Sequence, residues 1–379
     1  MIQRQLKNII IRQLFKKKAI IIIGPRQSGK TTLMQNICNE IGEKQIWLDG
    51  DEPDIRKQLS NVNSALLKSL IGNNKIVIID EAQRIKNIGL TLKLITDKIP
   101  EVQLIVSGSS ALELSNKINE PLTGRKYEYF LFPISFAEQA NNTDIIEEKR
   151  LLNHRLIYGY YPDVVTNPSE AKIILKQLSD SYLYKDILTW ENLKRPEKLE
   201  RLIQLLAYQI GSQISYNELA NSAGLDNETV ERYIYLLEKA FIVFRLNSYS
   251  RNLRNELKKS KKIYFYDNGI RNAVINNFKS IELRNDTGAL WENFLICERM
   301  KYTHYNNVFL NKYFWRTRTQ QEIDYIEERD GKLYAYEFKR NPKKKVKISK
   351  SFINAYPDSE TKLISTDNYT EFIYSEIKN

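Results

Sequence analysis

Short β-branched runs punctuate the first third of the chain: Ile20 to Ile23, Ile76 to Ile79 and Val102 to Val106. Apolar runs of this length, interrupted only at Gln103, suit strands covered on both faces, as in a parallel sheet flanked by helices. Between them, Thr31 to Ile41, Asp54 to Leu70 and Leu90 to Ile99 carry helical spacing. Shorter strands are predicted at Ile46 to Asp49 and Tyr127 to Leu131, and a leading amphipathic helix at Ile2 to Phe15. The alternation predicts an α/β domain over 1–140.

Beyond it the pattern changes. Asn141-Asn142-Thr143-Asp144 reads as a break. Helical stretches at Ile145 to Tyr158 and Glu170 to Thr189 predict a helical lid or linker over 141–195, with Tyr182 and Tyr184 as packing residues. Three short helices follow, at Leu199 to Ile210, Ser215 to Ala223 and Asn227 to Lys239. Ser215 with Glu218 reads as a capping box. Strands at Phe241 to Ser248 and Lys262 to Tyr266 complete a winged helix-turn-helix pattern over 196–275. Its third helix offers Asn227, Thr229, Glu231 and Arg232, a face too mixed in charge for strong base reading. Its hairpin carries Arg251, Arg254, Lys258, Lys259, Lys261 and Lys262, which suit phosphate contact; packing between domains is the other reading. The last segment, 276–379, begins with a helix from Thr287 and continues as strands at Phe314 to Arg316, Glu322 to Glu327 and Leu333 to Arg340, with an Asp330-Gly331 turn.

Chemistry enters where the first strand ends. Gly24-Pro25-Arg26-Gln27-Ser28-Gly29-Lys30-Thr31-Thr32 has the frame G-x-x-x-x-G-K-T, between a strand and a helix. A triphosphate needs converging backbone N–H groups, which glycines permit, and a helix N-terminus facing the negative charge. Lys30 then reaches the β- and γ-phosphates, and the Thr31 hydroxyl holds Mg²⁺. The run Ile76 to Ile79 ends in Asp80 and Glu81. Asp80 suits the Mg²⁺ shell, and Glu81 suits orienting the attacking water. The Val102 to Val106 run ends in Ser107-Gly108-Ser109-Ser110. Ser109 is either a sensor of the γ-phosphate or an ordinary loop serine. Arg125, in Leu122-Thr123-Gly124-Arg125, is either an arginine finger or a surface arginine at a turn.

Read in order, these motifs with Leu131-Phe-Pro-Ile-Ser-Phe-Ala-Glu, Tyr158-Gly-Tyr-Tyr-Pro-Asp and Tyr264-Phe-Tyr-Asp-Asn-Gly resemble the AAA-type ATP-binding proteins of bacteria and archaea that carry a C-terminal domain of unknown function. The resemblance spans nearly the whole chain. It implies ATP binding and hydrolysis by an AAA-like P-loop core, and it names no substrate. At the C-terminal end, Asp324 followed by Glu337-Phe-Lys339 is similar to the restriction-endonuclease-like, PD-(D/E)xK core. Two carboxylates hold a divalent metal and a lysine activates water or steadies phosphate charge; Glu292 is a further candidate ligand. Asn341-Pro342-Lys343-Lys344-Lys345, with Lys347 and Lys350, adds a basic stretch beside that hairpin.

Composition then narrows the field. The chain has 379 residues, a formal charge of +12 and 42% hydrophobic residues, which fits two or three domains and a polyanionic partner. No apolar run approaches the ~18 residues of a membrane span, and the first 18 residues lack a signal-peptide core. Two cysteines, Cys38 and Cys297, exclude a disulfide scaffold and fit a reducing cytoplasm; two histidines argue against a zinc site. Two functions fit. One is an oligomeric ATPase acting on DNA, with a second divalent metal at the nuclease-like site. The other is a nucleotide-controlled switch with a protein partner, its nuclease-like domain serving as a scaffold.

Overall fold

The computed structural model describes residues 2–109, 118–180, 196–250, 260–317, 319–343 and 348–374. Ser110, Tyr182, Tyr184, Arg251, Arg254, Lys258, Lys259, Lys344, Lys345 and Lys347 lie outside the described residues, as does the end of the helix expected from Glu170. The chain packs as two compact units. One comprises Met1–Ile134 with Lys239–Phe241, the other Ser135–Glu238 with Ile242–Asn379.

The first unit is a five-stranded sheet: β1 (Ala19–Ile23), β2 (Gln45–Asp49), β3 (Ile76–Asp80), β4 (Gln103–Gly108) and β5 (Lys126–Phe130). All neighbours are parallel, in the order β2-β3-β4-β1-β5. β1, β3 and β4 are buried throughout, which is why their sequences are runs rather than alternations. Helices Lys30–Ile41 and Ile88–Lys98 each present a buried apolar stripe. The single helix expected over Asp54 to Leu70 is two, Pro53–Leu59 and Ser64–Ile71. Asn61 takes a left-handed conformation between them, and the Asn63 side chain caps the second by accepting from the Leu66 N–H at 2.9 Å. One topological fact positions the site. β4 inserts between β1 and β3, so its C-terminal tip stands between the loop leaving β1 and the carboxylates ending β3.

The second unit opens on helix Phe136–Asn142, whose capping box joins Ser135 and Glu138 in both directions. The helix expected over Ile145 to Tyr158 is broken at Leu151 into Ile145–Arg150 and Leu152–Tyr158. Helices Pro196–Tyr208, Tyr216–Ala223 and Asn227–Lys239 follow. Ser215 caps the middle one, accepting from the Glu218 N–H at 3.4 Å, while the Glu218 carboxylate accepts from Gln209 instead. On the third helix, Thr229 bonds its own cap residue Asp226 at 2.8 Å. Glu231 lies 3.8 Å from Lys261.

Among the described residues, the strands of this unit are β6 (Gln213–Ile214), β7 (Val243–Ser248), β8 (Lys261–Phe265), β9 (Asn311–Arg316), β10 (Glu322–Arg329), β11 (Lys332–Phe338) and β12 (Glu360–Ile364). They form one sheet in the order β12-β11-β10-β9-β7-β8-β6. The hairpin β7–β8 is therefore continuous with the strands beyond residue 276, joined by parallel pairing of Asn247 and Ser248 with Tyr313 and Phe314. An expected boundary at 275 falls inside this sheet. Helix Thr287–Tyr305 is buried on nearly every side, so its sequence lacks a clean apolar stripe. No helix among the described residues is long and apolar enough to cross a membrane.

Candidate functional site

In the first unit the phosphate-loop residues follow β1 and lead into helix Lys30–Ile41. Gly24 has no room for a side chain, since a Cβ would fall 2.2 Å from the Leu131 carbonyl oxygen. Gly29 adopts φ +90°, a left-handed conformation that glycine takes without strain. Pro25, Arg26, Gln27 and Ser28 form the loop between them, with Gln27 also at positive φ. Lys30 is buried, and its ammonium donates to the carbonyls of Gly24 at 3.0 Å and Pro25 at 2.9 Å. The Ser28 hydroxyl is buried without a hydrogen-bond partner among the described residues. Thr32 continues the helix one residue beyond Thr31 and is exposed.

Thr31 and Asp80 come together. The Thr31 hydroxyl donates to Asp80 Oδ2 at 2.7 Å. Asp80 Oδ1 accepts from the Glu81 N–H at 3.0 Å and from the Ser107 hydroxyl. Glu81 takes a left-handed conformation at φ 47°, which turns the chain sharply off β3. Its carboxylate accepts from Ser109 Oγ at 3.1 Å and from the Gln83 side chain, which also donates to Ser109 Oγ at 3.0 Å. The end of β4 and the residue after it thus hold the carboxylates at the end of β3, Ser107 holding Asp80 and Ser109 holding Glu81. Ser107 and Gln83 were not assigned from sequence. Both lie inside the motifs; the insertion of β4 beside β3 brings Ser107 to Asp80 and Ser109 to Gln83, while Gln83 also meets Glu81 two residues away.

These residues fit Mg²⁺. The hydroxyl and carboxylate expected to hold it are in contact, and the loop offers space only to glycine at Gly24. Arg125 stands elsewhere. It immediately precedes β5, and its carbonyl accepts from the N–H of Ala19, the first residue of β1. That is the N-terminal edge of a parallel sheet, about 16 Å of strand from the phosphate loop. Its guanidinium pairs with Asp97 at 2.6 Å and is 40% exposed. Within one chain, Arg125 does not reach the nucleotide site.

In the second unit, β10, β11 and helix Thr287–Tyr305 bring Asp324, Glu337, Lys339 and Glu292 into one cluster. Asp324 Oδ2 accepts from the Phe338 N–H at 2.8 Å, which ties the two strands at this point. Lys339 Nζ donates to Glu337 Oε1 at 2.9 Å, as their shared face requires, while Glu337 Oε2 is buried without a partner among the described residues. Burial, then the charges of Glu292 and Glu337, push the Asp324 carboxyl up to about 8. Burial alone would lower the Lys339 ammonium, but Asp324 and Glu337 outweigh it and hold it above the usual lysine range.

Lys262, placed by sequence among hairpin phosphate contacts, is instead buried in this cluster. Its ammonium lies 3.0 Å from Glu292 Oε1 and 2.5 Å from Glu322 Oε1. Burial opposes its charge, and Glu292, Glu322 and Asp324 together overcome that and raise its pKa. Tyr264 donates its hydroxyl to Glu292 Oε1 at 2.5 Å. Among the described residues, no three His, Cys, Asp or Glu side chains stand close enough to enclose a metal ion as placed. Asp324 and Glu337, with its unpartnered oxygen, are the two carboxylates that fit one. Glu292 is already engaged by Lys262 and Tyr264. Cys38 and Cys297 are both free and buried.

Residues 16–140 match the family described as AAA domain. Residues 149–280 and 287–376 match two families described as domains of unknown function, DUF8612 and DUF4143. An uncharacterized protein of Mycobacterium tuberculosis is 26% identical over 333 residues, covering 87% of this chain and 72% of its own. An uncharacterized protein of Methanocaldococcus jannaschii is 25% identical over 337 residues, covering 83% and 73%. The replication factor C large subunit of Thermococcus kodakarensis is 28% identical over 144 residues, 38% of this chain and 25% of that one. Among solved structures, a Walker-type ATPase of Pyrococcus abyssi is 14% identical, covers 73% of this chain and 96% of its own, and superposes with a TM-score of 0.49. The family match and the strand-loop-helix geometry agree on an AAA-type P-loop domain over residues 16–140, and residues 287–376 are similar to DUF4143 domains.

Proposed function

We propose that the chain binds and hydrolyses ATP with Mg²⁺ in its first unit and acts on DNA through its second. The observation that carries the first half is the Thr31–Asp80 contact at 2.7 Å beneath a loop that holds Lys30 by two carbonyls. In this reading the loop N–H groups and Lys30 bind the phosphates, and Thr31 and Asp80 hold Mg²⁺. Bound Mg²⁺ neutralises phosphate charge and fixes its geometry. Glu81 orients the attacking water, and Ser109 with Gln83 sets where its carboxylate points. An arginine finger, if Arg125 is one, acts between copies, so the active form is then an oligomer. The test is fluorescent ATP binding and phosphate release by the intact chain, wild type against Lys30→Ala. Equal affinity in the two would overturn the phosphate-loop reading.

The DNA half rests on the +12 charge and on the Asp324, Glu337, Lys339 cluster. There Asp324 and Glu337 would hold a divalent metal and Lys339 would steady developing phosphate charge. The assay is cleavage of linear and branched DNA with Mg²⁺ or Mn²⁺, with and without ATP, wild type against Lys339→Ala. Cutting that persists in the variant removes the cluster from the reaction.

One observation favours a second reading, a nucleotide-controlled switch whose nuclease-like domain is a scaffold for a protein partner. Lys262 already neutralises Glu292 and Glu322, which leaves a site with two carboxylates rather than three. No cutting by wild type under any of these conditions, together with ATP-dependent protein capture, would select this reading.

A further inference from the structure

We propose that Arg4 is a positioning residue for the nucleotide site: its guanidinium holds the Ser28–Gly29 peptide so that the Gly29 N–H faces the phosphates. This rests on the ATP reading of the first unit. Arg4 lies ahead of the segment that matches the AAA domain, at the N-cap of helix Gln5–Ile11, and is 7% exposed. Its Nη1 donates to the Ser28 carbonyl at 2.7 Å, and its Nη2 donates to the Phe132 carbonyl at 2.6 Å.

The geometry of a peptide unit gives these bonds their meaning. The unit is planar and trans, so its C=O and N–H point in opposite directions. With the Ser28 carbonyl turned onto Arg4, the N–H of Gly29 is aimed away from the guanidinium. Gly29 at φ +90° then passes directly into the Lys30 helix, whose first N–H groups have no acceptor within the helix. A charged donor on the carbonyl also polarises the peptide and strengthens its N–H as a donor.

The other end of the fork is anchored equally well. Leu131 and Phe132 back the whole loop, Leu131 through its carbonyl against Gly24 and Phe132 through Arg4. Helix Gln5–Ile11 is fixed by buried Leu6 and Ile10, and Lys7 pairs with Glu40 on the loop's own helix. Only arginine presents two rigid N–H directions to two carbonyls; lysine keeps the charge and loses the bridge.

The test is calorimetric binding of ADP and of adenosine to the full chain, as wild type, Arg4→Lys and Arg4→Ala. ADP affinity falls about tenfold or more in both variants, while adenosine, which lacks phosphates, binds as before. Guanidinium ion added to Arg4→Ala restores part of the loss. Should Arg4→Ala unfold, Arg4→Lys carries the test. ADP binding within about twofold of wild type in Arg4→Lys would overturn the proposal, and so would ADP and adenosine weakening together. A wild-type chain with no ADP affinity would instead overturn the ATP reading and this proposal with it.

Discussion

Replacing Lys262 with alanine removes a cation from between two carboxylates, and the structure sets the size of the effect. The ammonium is 3.0 Å from Glu292 and 2.5 Å from Glu322, and its side chain is 2% exposed. Leaving one partner of a buried pair uncompensated costs about 3–5 kcal/mol. Two features soften that here. Glu292 keeps the Tyr264 hydroxyl, and Glu322 keeps Arg316 at 3.3 Å. Both carboxylates also reach some water, at 16% and 25% exposure. The working figure is therefore about 2–3 kcal/mol. Urea unfolding followed by tryptophan fluorescence measures it, since Trp291 and Trp315 both belong to the second unit. With a urea slope of about 2 kcal/mol per molar, the midpoint drops by about 1 M. Adding Glu292→Gln to Lys262→Ala recovers part of the loss, because the orphaned charge is then gone. A midpoint within about 0.2 M of wild type, or no recovery in the double variant, would refute a structural ion pair here.

Three further outcomes are expected. Glu81→Gln retains ATP binding and lowers turnover by about 10²–10⁴-fold, measured as phosphate release; normal turnover would remove Glu81 from the water-orienting role. Arg125→Ala leaves the turnover of dilute chain unchanged, because the residue sits at the far edge of the sheet beside Asp97. A loss confined to concentrations at which copies associate would assign it to a neighbouring copy. Asp324 is held protonated up to about pH 8 in the folded chain, against about 3.9 unfolded, so the folded state binds the extra proton. Its contribution to stability is complete below pH 4 and is lost as pH rises through 8. Urea midpoints should therefore fall from pH 5 to pH 9, and Asp324→Asn should flatten that slope.

Contiguous chemistry was legible in the sequence. The phosphate loop is one uninterrupted stretch, and Asp80 and Glu81 sit where an apolar run stops. What depends on strand order was not. Ser107 meets Asp80, and Ser109 meets Gln83, only because β4 inserts between β1 and β3. Arg4 is a lone arginine twenty residues ahead of Gly24, and nothing local marks it. In a parallel sheet, residues preceding a strand lie at the edge opposite the loops that follow strands, and Arg125 precedes β5. In sequence Lys262 reads as part of a basic hairpin, because its acidic partners lie 30 and 60 residues away. The Asp324, Glu337, Lys339 grouping was legible, since two strands joined by an Asp-Gly turn bring them together by register alone.

The continuity of β7 with β9 decides where this chain can be cut. A fragment ending at residue 275 would leave the Asn247–Ser248 edge bare and would strip helix Thr287–Tyr305 from β8. That helix supplies Asn293, which satisfies both the N–H and the carbonyl of Phe265, at 2.8 and 3.0 Å. An open edge beside unsatisfied peptide groups is a template for aggregation. Fragments meant to isolate the second unit should therefore begin near Ser135 and run to the end, however tempting the three-helix segment looks alone.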